Sequence, residues 1–244
     1  LCHYCGSRRK PPTQCPSCNS YRLTYYGIGT KAVVDEVERS FPNASVLRWD
    51  RDAISGPGDH QGLLERFRSG QAQVLVGTQM VAKGLHFPDV TLVGVVLADV
   101  GLNVHDFRAG ERAFQLMCQV AGRAGRGSRR GRVIVQTYQP ENYAIRAAVT
   151  QDYRRFFIQE IKHRRDQGDP PYAHLIKLAY AHTNDALCER EASRLAFELR
   201  EERGASGHSE VDVLGPTPSY PQRLRGRYQW QLVLRGSQPR VLLK

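Results

Sequence analysis

The stretch Val90-Thr91-Leu92-Val93-Gly94-Val95-Val96-Leu97-Ala98, running into Asp99, decides how this chain folds. It is almost wholly apolar and rich in β-branched side chains, the composition of a strand buried on both faces, which belongs at the centre of a parallel sheet. Outward from it, short apolar runs alternate with amphipathic segments. The pattern predicts a helix over 30–39, a strand at Ser45–Trp49, a helix over 60–69, a strand at Ala72–Val76, a helix over 109–124 and a strand at Arg132–Tyr138. That is the βα rhythm of an α/β lobe with a parallel sheet, occupying residues 24–150.

The flanking regions read differently. Residues 1–23 are rich in Cys, Pro, Ser, Arg and Lys and hold too few large apolar side chains to make a core, so another agent must order them. Residues 151–244 read as a second, small C-terminal α/β domain. Gln151–Gln167 is an amphipathic helix with Tyr153, Phe156, Phe157 and Ile161 on its apolar side, stopped by Gly168-Asp169-Pro170-Pro171. A strand (Leu175–His182), a helix (Asp185–Glu202) and two strands (Val211–Leu214 and Tyr228–Leu234) follow, and the apolar run before Lys244 reads as another element beginning.

Lys and Arg number 35 against 24 Asp and Glu, a formal charge of +11 in 244 residues. Such an excess favours a polyanionic partner, a nucleic acid or an anionic surface. No run approaches the ~18 apolar residues of a membrane span, nothing resembles a signal peptide, and the chain reads as cytoplasmic, with no membrane partner. Leu1 in place of Met reads as a start inside a longer protein.

Four of the six cysteines form two C-x2-C knuckles, Cys2-His3-Tyr4-Cys5-Gly6 and Cys15-Pro16-Ser17-Cys18-Asn19. Each is followed by a residue that tolerates positive φ, so backbone amides can turn towards thiolate sulfur, as in zinc knuckles. Two readings stay open: one tetrahedral site of Cys2, Cys5, Cys15 and Cys18, or ligands shared with residues upstream of Leu1. Either way the metal is structural, and His3 reads as exposed and non-coordinating, with a role as substitute ligand the alternative. Cys118 and Cys188 stand alone inside helical patterns and read as small buried hydrophobes.

In an open α/β sheet, functional residues gather at the carboxyl ends of the strands. Val74-Leu75-Val76 runs into Gly77-Thr78-Gln79-Met80-Val81-Ala82-Lys83-Gly84, which puts a hydroxyl, a glycine turn and a lysine past a strand end, as phosphate contacts require. Asp99 reaches the same edge, to orient a basic partner or to cap a helix. In the 109–126 helix Phe114, Met117, Cys118 and Ala121 make the apolar stripe, while Gln115, Gln119, Arg123 and Arg126 share another face. Gly122 and Gly125 weaken that helix end by up to about 1 kcal/mol each, which suits close backbone approach to a ligand or a facing lobe. A solvated basic helix end explains the arginines alone, but the combination with Gln119, the glycines, Thr78 and Lys83 points to the terminal phosphates of a nucleotide. Near the end of the chain, Tyr220 to Trp230 interleaves cations with aromatics, including Arg225, Arg227 and Tyr228. Cations there can track phosphates while rings stack on bases; an edge strand with a buried Tyr and Trp is the equal alternative. Arg8, Arg9, Lys10, Arg129, Arg130 and Arg132 read either as solvated charges or as further phosphate contacts.

On these residues the chain resembles a known family. Gly77–Gly84 with His86-Phe87-Pro88-Asp89-Val90 resembles motif V of superfamily 2 helicases, and Gln119–Arg126 resembles motif VI, whose arginines act as arginine fingers. Together with the knuckles, Gly27-Ile28-Gly29-Thr30, Asp50-Arg51-Asp52, Pro170-Pro171-Tyr172, Leu214-Gly215-Pro216 and Arg225-Gly226-Arg227-Tyr228, the chain is similar to the primosomal replication-restart helicases. The resemblance implies a RecA-like second helicase lobe in an ATP-driven 3′-to-5′ DNA helicase that recognises abandoned forks and restarts replication by primosome assembly. It implies catalytic roles for Gln119, Arg123 and Arg126, nucleotide contacts for Gly84, Gly122 and Asp99, and DNA contacts for Thr78, Lys83, Arg225, Arg227 and Tyr228. The family's zinc module carries eight cysteines on two ions, and the present knuckles correspond to its last two pairs, contributing to different ions. ATP and Mg2+ are implied for the full-length enzyme. Implied partners are forked and single-stranded DNA, single-stranded-DNA-binding protein, near Arg240, and other primosome proteins, acting on a monomer. Lys31 departs from the family, which usually has Glu there. The 244 residues contain no G-x-x-x-x-G-K-[ST], so the resemblance places the first lobe outside this chain, and these residues alone are not expected to hydrolyse ATP. The rival reading is a zinc-stabilised scaffold that binds forks with an inactive motor; an RNA helicase is a remoter one.

Overall fold

The structure, a computed structural model, describes residues 12–21, 29–50, 59–78, 87–103, 106–122, 124–125 and 130–243. The chain divides into two compact units, one of Arg22–Val104 and Arg108–Phe156, the other of Leu1–Tyr21, His105–Phe107 and Phe157–Lys244.

The first unit takes in Arg22–Val104 and Arg108–Phe156. In chain order its elements are α1 (Thr30–Ser40), β1 (Val46–Trp49), α2 (Asp59–Arg68), β2 (Val74–Gly77), β3 (Leu92–Val95), the short α3 (Asp99–Leu102), α4 (Ala109–Ala121), β4 (Arg132–Val135) and α5 (Tyr143–Thr150), followed by the start of α6 (Tyr153–Gln167). The strands are parallel throughout. β1 pairs with β2, Trp49 opposite Gly77, and β3 pairs with β4, Val95 opposite Val135. The reading of Val90–Ala98 as one strand buried on both faces needs correction. The described strand is Leu92–Val95, among the described residues it pairs with β4 alone, and Leu92 and Val96 are exposed. Among the described residues the opposite face, with Val93 and Val95 half-buried, is covered by α4, so high apolar content here reflects one covered face and one open one.

The unit's core lies between helices. Ala113, Phe114 and Met117 of α4 pack against Ala144, Ile145, Ala147 and Ala148 of α5 and Phe156 of α6. The alanines let the helix axes approach closely and the rings fill what remains. α5 was not expected from the sequence. It starts at Asn142, whose side chain accepts a hydrogen bond from the Ala144 amide at 2.9 Å, and ends at Gln151 in the left-handed region. That left-handed cap is why α6 begins at Tyr153 and not at 151.

The second unit is built around Phe157–Lys244. It contains the rest of α6, β5 (His174–His182), α7 (Asp185–Ala205), β6 (Asp212–Leu224), β7 (Arg227–Gly236) and α8 (Pro239–Leu242). The sheet is antiparallel in the order β5-β7-β6. Small residues at every fourth position of α7, Cys188, Ala192 and Ala196, are buried and bring the helix against the sheet, with Trp230 of β7 filling the space beside Cys188 and Ala192. A second cluster joins Val211, Leu234 and Leu242. β6 is far longer than the expected Val211–Leu214. Pro216, Pro218 and Pro221 hide it in the sequence, but it is an edge strand with irregular register between Leu214 and Thr217 and between Pro218 and Arg223, where missing amides are tolerated. Arg235 ties this sheet to the end of α6, donating to Asp212 at 2.6 and 2.9 Å and to the Gln167 carbonyl at 2.8 Å. Among the described residues no helix is long and apolar enough to cross a membrane.

Candidate nucleotide and nucleic-acid sites

The register of β1 and β2 brings their carboxyl ends level, so Asp50 and Thr78 follow the paired Trp49 and Gly77. Thr78 is exposed there. Asp50 is buried at 4% exposure, and one of its carboxylate oxygens accepts from Arg48 Nε at 2.6 Å and from the Thr30 hydroxyl. A buried carboxylate survives because it is paired in this way. The pairing joins the first turn of α1 to the end of β1, and it is a site feature that sequence reading did not identify beyond the Asp-x-Asp pattern. Lys31, beside Thr30, is exposed. Lys83 and Gly84 lie outside the described residues.

Asp99 does reach the carboxyl end of β3, but its carboxylate turns inward. It is 6% exposed, one oxygen accepting from the Thr137 hydroxyl and the other from the Tyr138 amide, both at 3.1 Å. It also makes no capping bond to α3, whose N-cap is Ala98. Asp99 therefore holds the loop after β4 against the end of β3, and both of these bonds stay within its own lobe.

α4 has the expected face division. Phe114 and Met117 are buried, and Gln115 and Gln119 are exposed, with Gln115 donating to Glu111 at 3.0 Å. The helix stops at Ala121, three residues before the expected end, and Gly122 closes it with its amide on the Cys118 carbonyl at 3.0 Å. Gly125 follows at φ 75°, donating to the Val90 carbonyl at 3.1 Å. A Cβ on Gly125 would run into the backbone nitrogen of Gly131, and one on Gly131 would run into Ala124 and Gly125. The close approach that the glycines permit at Gly125 is thus made to the lobe's own backbone. Arg123 and Arg126 lie outside the described residues.

In the second knuckle the Cys15 amide donates to the Ser20 carbonyl and the Asn19 amide to the Cys15 carbonyl, each at 2.8 Å, with Asn19 at φ 55°. The backbone amides of Cys18 and Ser17, helped by the Cys18 side chain, hold the Cys15 thiol below its ordinary pKa. This is the donor arrangement that stabilises a thiolate, and it fits one half of a thiolate metal site. Among the described residues no group of three or more metal-binding side chains comes together; Cys2 and Cys5 lie outside them. Cys188 is fully buried, its thiol pushed up in pKa by burial, and it donates to the Tyr228 carbonyl at 3.3 Å.

At the other unit's hairpin, Arg225 and Arg227 are exposed. Tyr228 is half-buried against Cys188, Ala192 and Trp230, and the Arg223 guanidinium lies over its ring, 5.2 Å from the centroid. Trp230 is a core residue, 3% exposed, with its indole N–H on Asp185 at 2.8 Å. Arg240, in α8, is exposed.

Two family models match: the helicase conserved C-terminal domain over residues 43–128 and the primosomal protein N C-terminal domain over residues 165–244. The chain is 43% identical to the replication restart protein PriA of Bacillus subtilis, over 97% of this chain and 29% of that protein. It is 41% identical to the protein of that name from Synechocystis sp., over 96% of this chain and 28% of the relative, and 38% identical to the one from Haemophilus influenzae, over 100% and 33%. The chain spans about a third of the length of these relatives. Matching them along nearly all of its own length and carrying both of these domains, the chain belongs to the replication restart protein PriA family and corresponds to a C-terminal part of it.

Proposed function

We propose that the chain is the C-terminal part of an ATP-dependent 3′-to-5′ DNA helicase that recognises stalled or abandoned replication forks and restarts replication by assembling a primosome. The observation that carries this reading is the end of α4. Gln119 is exposed and the Gly125 amide is bonded to the Val90 carbonyl, two residues before β3, within the residues that match the helicase domain. On this reading Arg123 and Arg126, which fall within the residues that match the helicase domain, would face a RecA-like first lobe. There their guanidiniums would neutralise charge developing on the transferred phosphoryl group. ATP and Mg2+ bound by the complete protein supply the phosphoryl chemistry. Gln119 would orient the attacking water, while Gly84 and Gly122 leave room for the nucleotide; Asp99 serves this site by positioning the strand end.

Thr78 and Lys83 past β2 would hold the translocating strand, and Arg225, Arg227 and Tyr228 a second stretch of DNA. The Cys15–Cys18 knuckle, with Cys2 and Cys5, would hold structural zinc, each pair contributing to a different ion. Single-stranded-DNA-binding protein, near Arg240, and other primosome proteins are the partners this reading assigns to a cytoplasmic monomer.

The test is strand separation of a forked duplex by the complete protein. ATP-dependent unwinding that requires a 3′ tail is the expected result. Tight fork binding with no unwinding and no ATP turnover would favour a zinc-stabilised scaffold with an inactive motor. The 244 residues by themselves are expected to show no ATPase.

A further inference from the structure

β6 and β7 are joined by only two residues, Arg225 and Gly226, with Leu224 paired to Arg227 across them. Both have positive φ, 50° and 80°, the signature of a type I′ turn, whose twist matches the strands it connects. Gly226 adopts this conformation freely. Arg225 does not, because its Cβ crowds the carbonyl there, and Asn, Asp or Gly suit the position better. A long cation is kept where a short side chain would fold more easily. Strain held at an exposed tip points to a use other than folding.

The surroundings indicate which use. Arg223, Arg225 and Arg227 are all exposed, placing three guanidiniums within five residues. The Asp185 carboxylate, next to this end of the sheet, is occupied by the Trp230 indole at 2.8 Å and by Gln222 at 3.2 Å. The two described aromatic side chains are turned to other tasks: Trp230 is in the core, and the Tyr228 ring is packed on Cys188, Ala192 and Trp230 with Arg223 laid over it. A guanidinium stacked on a ring keeps its in-plane N–H donors available and loses less freedom on binding. Among the described residues the hairpin therefore presents three exposed cations, Arg223 held flat on a ring, without an open stacking platform. Single strands are held largely by stacking of bases on aromatic rings, whereas duplex backbones are held by cations on phosphates.

Resting on the nucleic-acid reading above, we infer that the Arg225 hairpin grips the phosphate backbone of double-stranded DNA without reading bases, and that Tyr228 acts by holding Arg223 flat. Arg225→Asn separates this role from a structural one, because Asn fits the turn better than Arg. The variant's melting temperature stays level or rises. Its affinity for a blunt mixed-sequence duplex, titrated over a series of salt concentrations, falls, and the slope of log K against log salt becomes shallower by about 0.9 for each phosphate that the protein no longer neutralises. Arg225→Lys restores most of that slope. Four results would overturn the inference. Unchanged duplex affinity and slope in Arg225→Asn, with the parent chain binding duplex, removes the hairpin while leaving DNA binding elsewhere. A weakening confined to single-stranded oligonucleotides, or a parent preference for anionic vesicles over duplex, removes the duplex assignment. A parent chain that binds neither duplex nor single strand removes both this inference and the wider nucleic-acid reading.

Discussion

The ring of Phe114 in α4 lies flat on that of Phe156 in the first turn of α6, 4.3 Å between centroids and 12° between planes. Both are buried, and the pair sits at the centre of the alanine-lined packing of α4 and α5. α4 continues from Phe114 to Gln119 and Gly122, so the aromatic pair fixes the helix that carries the proposed catalytic end. Phe114→Ala and Phe156→Ala are each expected to cost about 3–5 kcal/mol of unfolding free energy. The double variant should be destabilised by less than the sum, because the rings pack on each other. Urea denaturation of the four proteins measures both quantities.

Gly125 and Gly204 should respond to alanine with opposite signs. Gly125 is at φ 75° and a Cβ there would meet the Gly131 backbone, so Gly125→Ala is expected to destabilise by about 1–3 kcal/mol. Gly204 lies in α7 with nothing within 4 Å of an added Cβ. Gly204→Ala is expected to stabilise by about 0.5–1 kcal/mol. A Gly125→Ala melting temperature at or above the parent's would refute the backbone account of Gly125, and a lowered one for Gly204→Ala would refute the helix account of Gly204.

Trp230 gives a third test. Its indole N–H reaches the Asp185 carboxylate at 2.8 Å in a buried setting, and Asp185→Ala strands that donor at a cost of about 1–3 kcal/mol. Asp185→Asn keeps an acceptor oxygen and should cost distinctly less. The same series also monitors the base of the hairpin, since Gln222 shares the carboxylate.

Stability should depend on pH through Asp169. Burial pushes its carboxyl above the ordinary range, with Glu160 adding to the rise, while Arg235, His163 and Arg164 oppose it. The folded chain then holds this proton more tightly than the unfolded chain, so the residue's contribution to stability falls as pH rises from the unfolded pKa through the raised folded one. Asp169→Asn abolishes that titration. The variant's stability relative to the parent should therefore increase between mild acid and neutral pH, and denaturant titrations across that range check the sign.

Periodicity made much of this fold legible. α1, α2 and α4 carry apolar stripes at helical spacing, and the short apolar runs ending at Trp49 and Val76 read directly as strands. α5 escaped because six of its eight residues are alanine or β-branched, so the Asn142 cap was its best signal. The far half of β6 escaped because three prolines mask a strand that only an irregular edge can accommodate. Partnerships at long range left no mark in local pattern. Asp99 reaches Thr137 and Tyr138, Asp50 reaches Thr30, and Gly125 needs glycine because Gly131 crosses it. In each case the residue type was noticeable, but its partner came from the tertiary fold. The apolar run Val90–Ala98 shows the converse error, since composition alone does not tell one buried face from two.

The central claim is that Arg123 and Arg126 complete an ATP site shared with another lobe. It is tested most directly by the ATP hydrolysis rate of the complete protein at saturating ATP and forked DNA, for Arg123→Ala and Arg126→Ala beside the parent. A fall in kcat of about 10³-fold or more in each variant, with fork affinity retained, is the expected result. A kcat close to the parent's in both would contradict the claim.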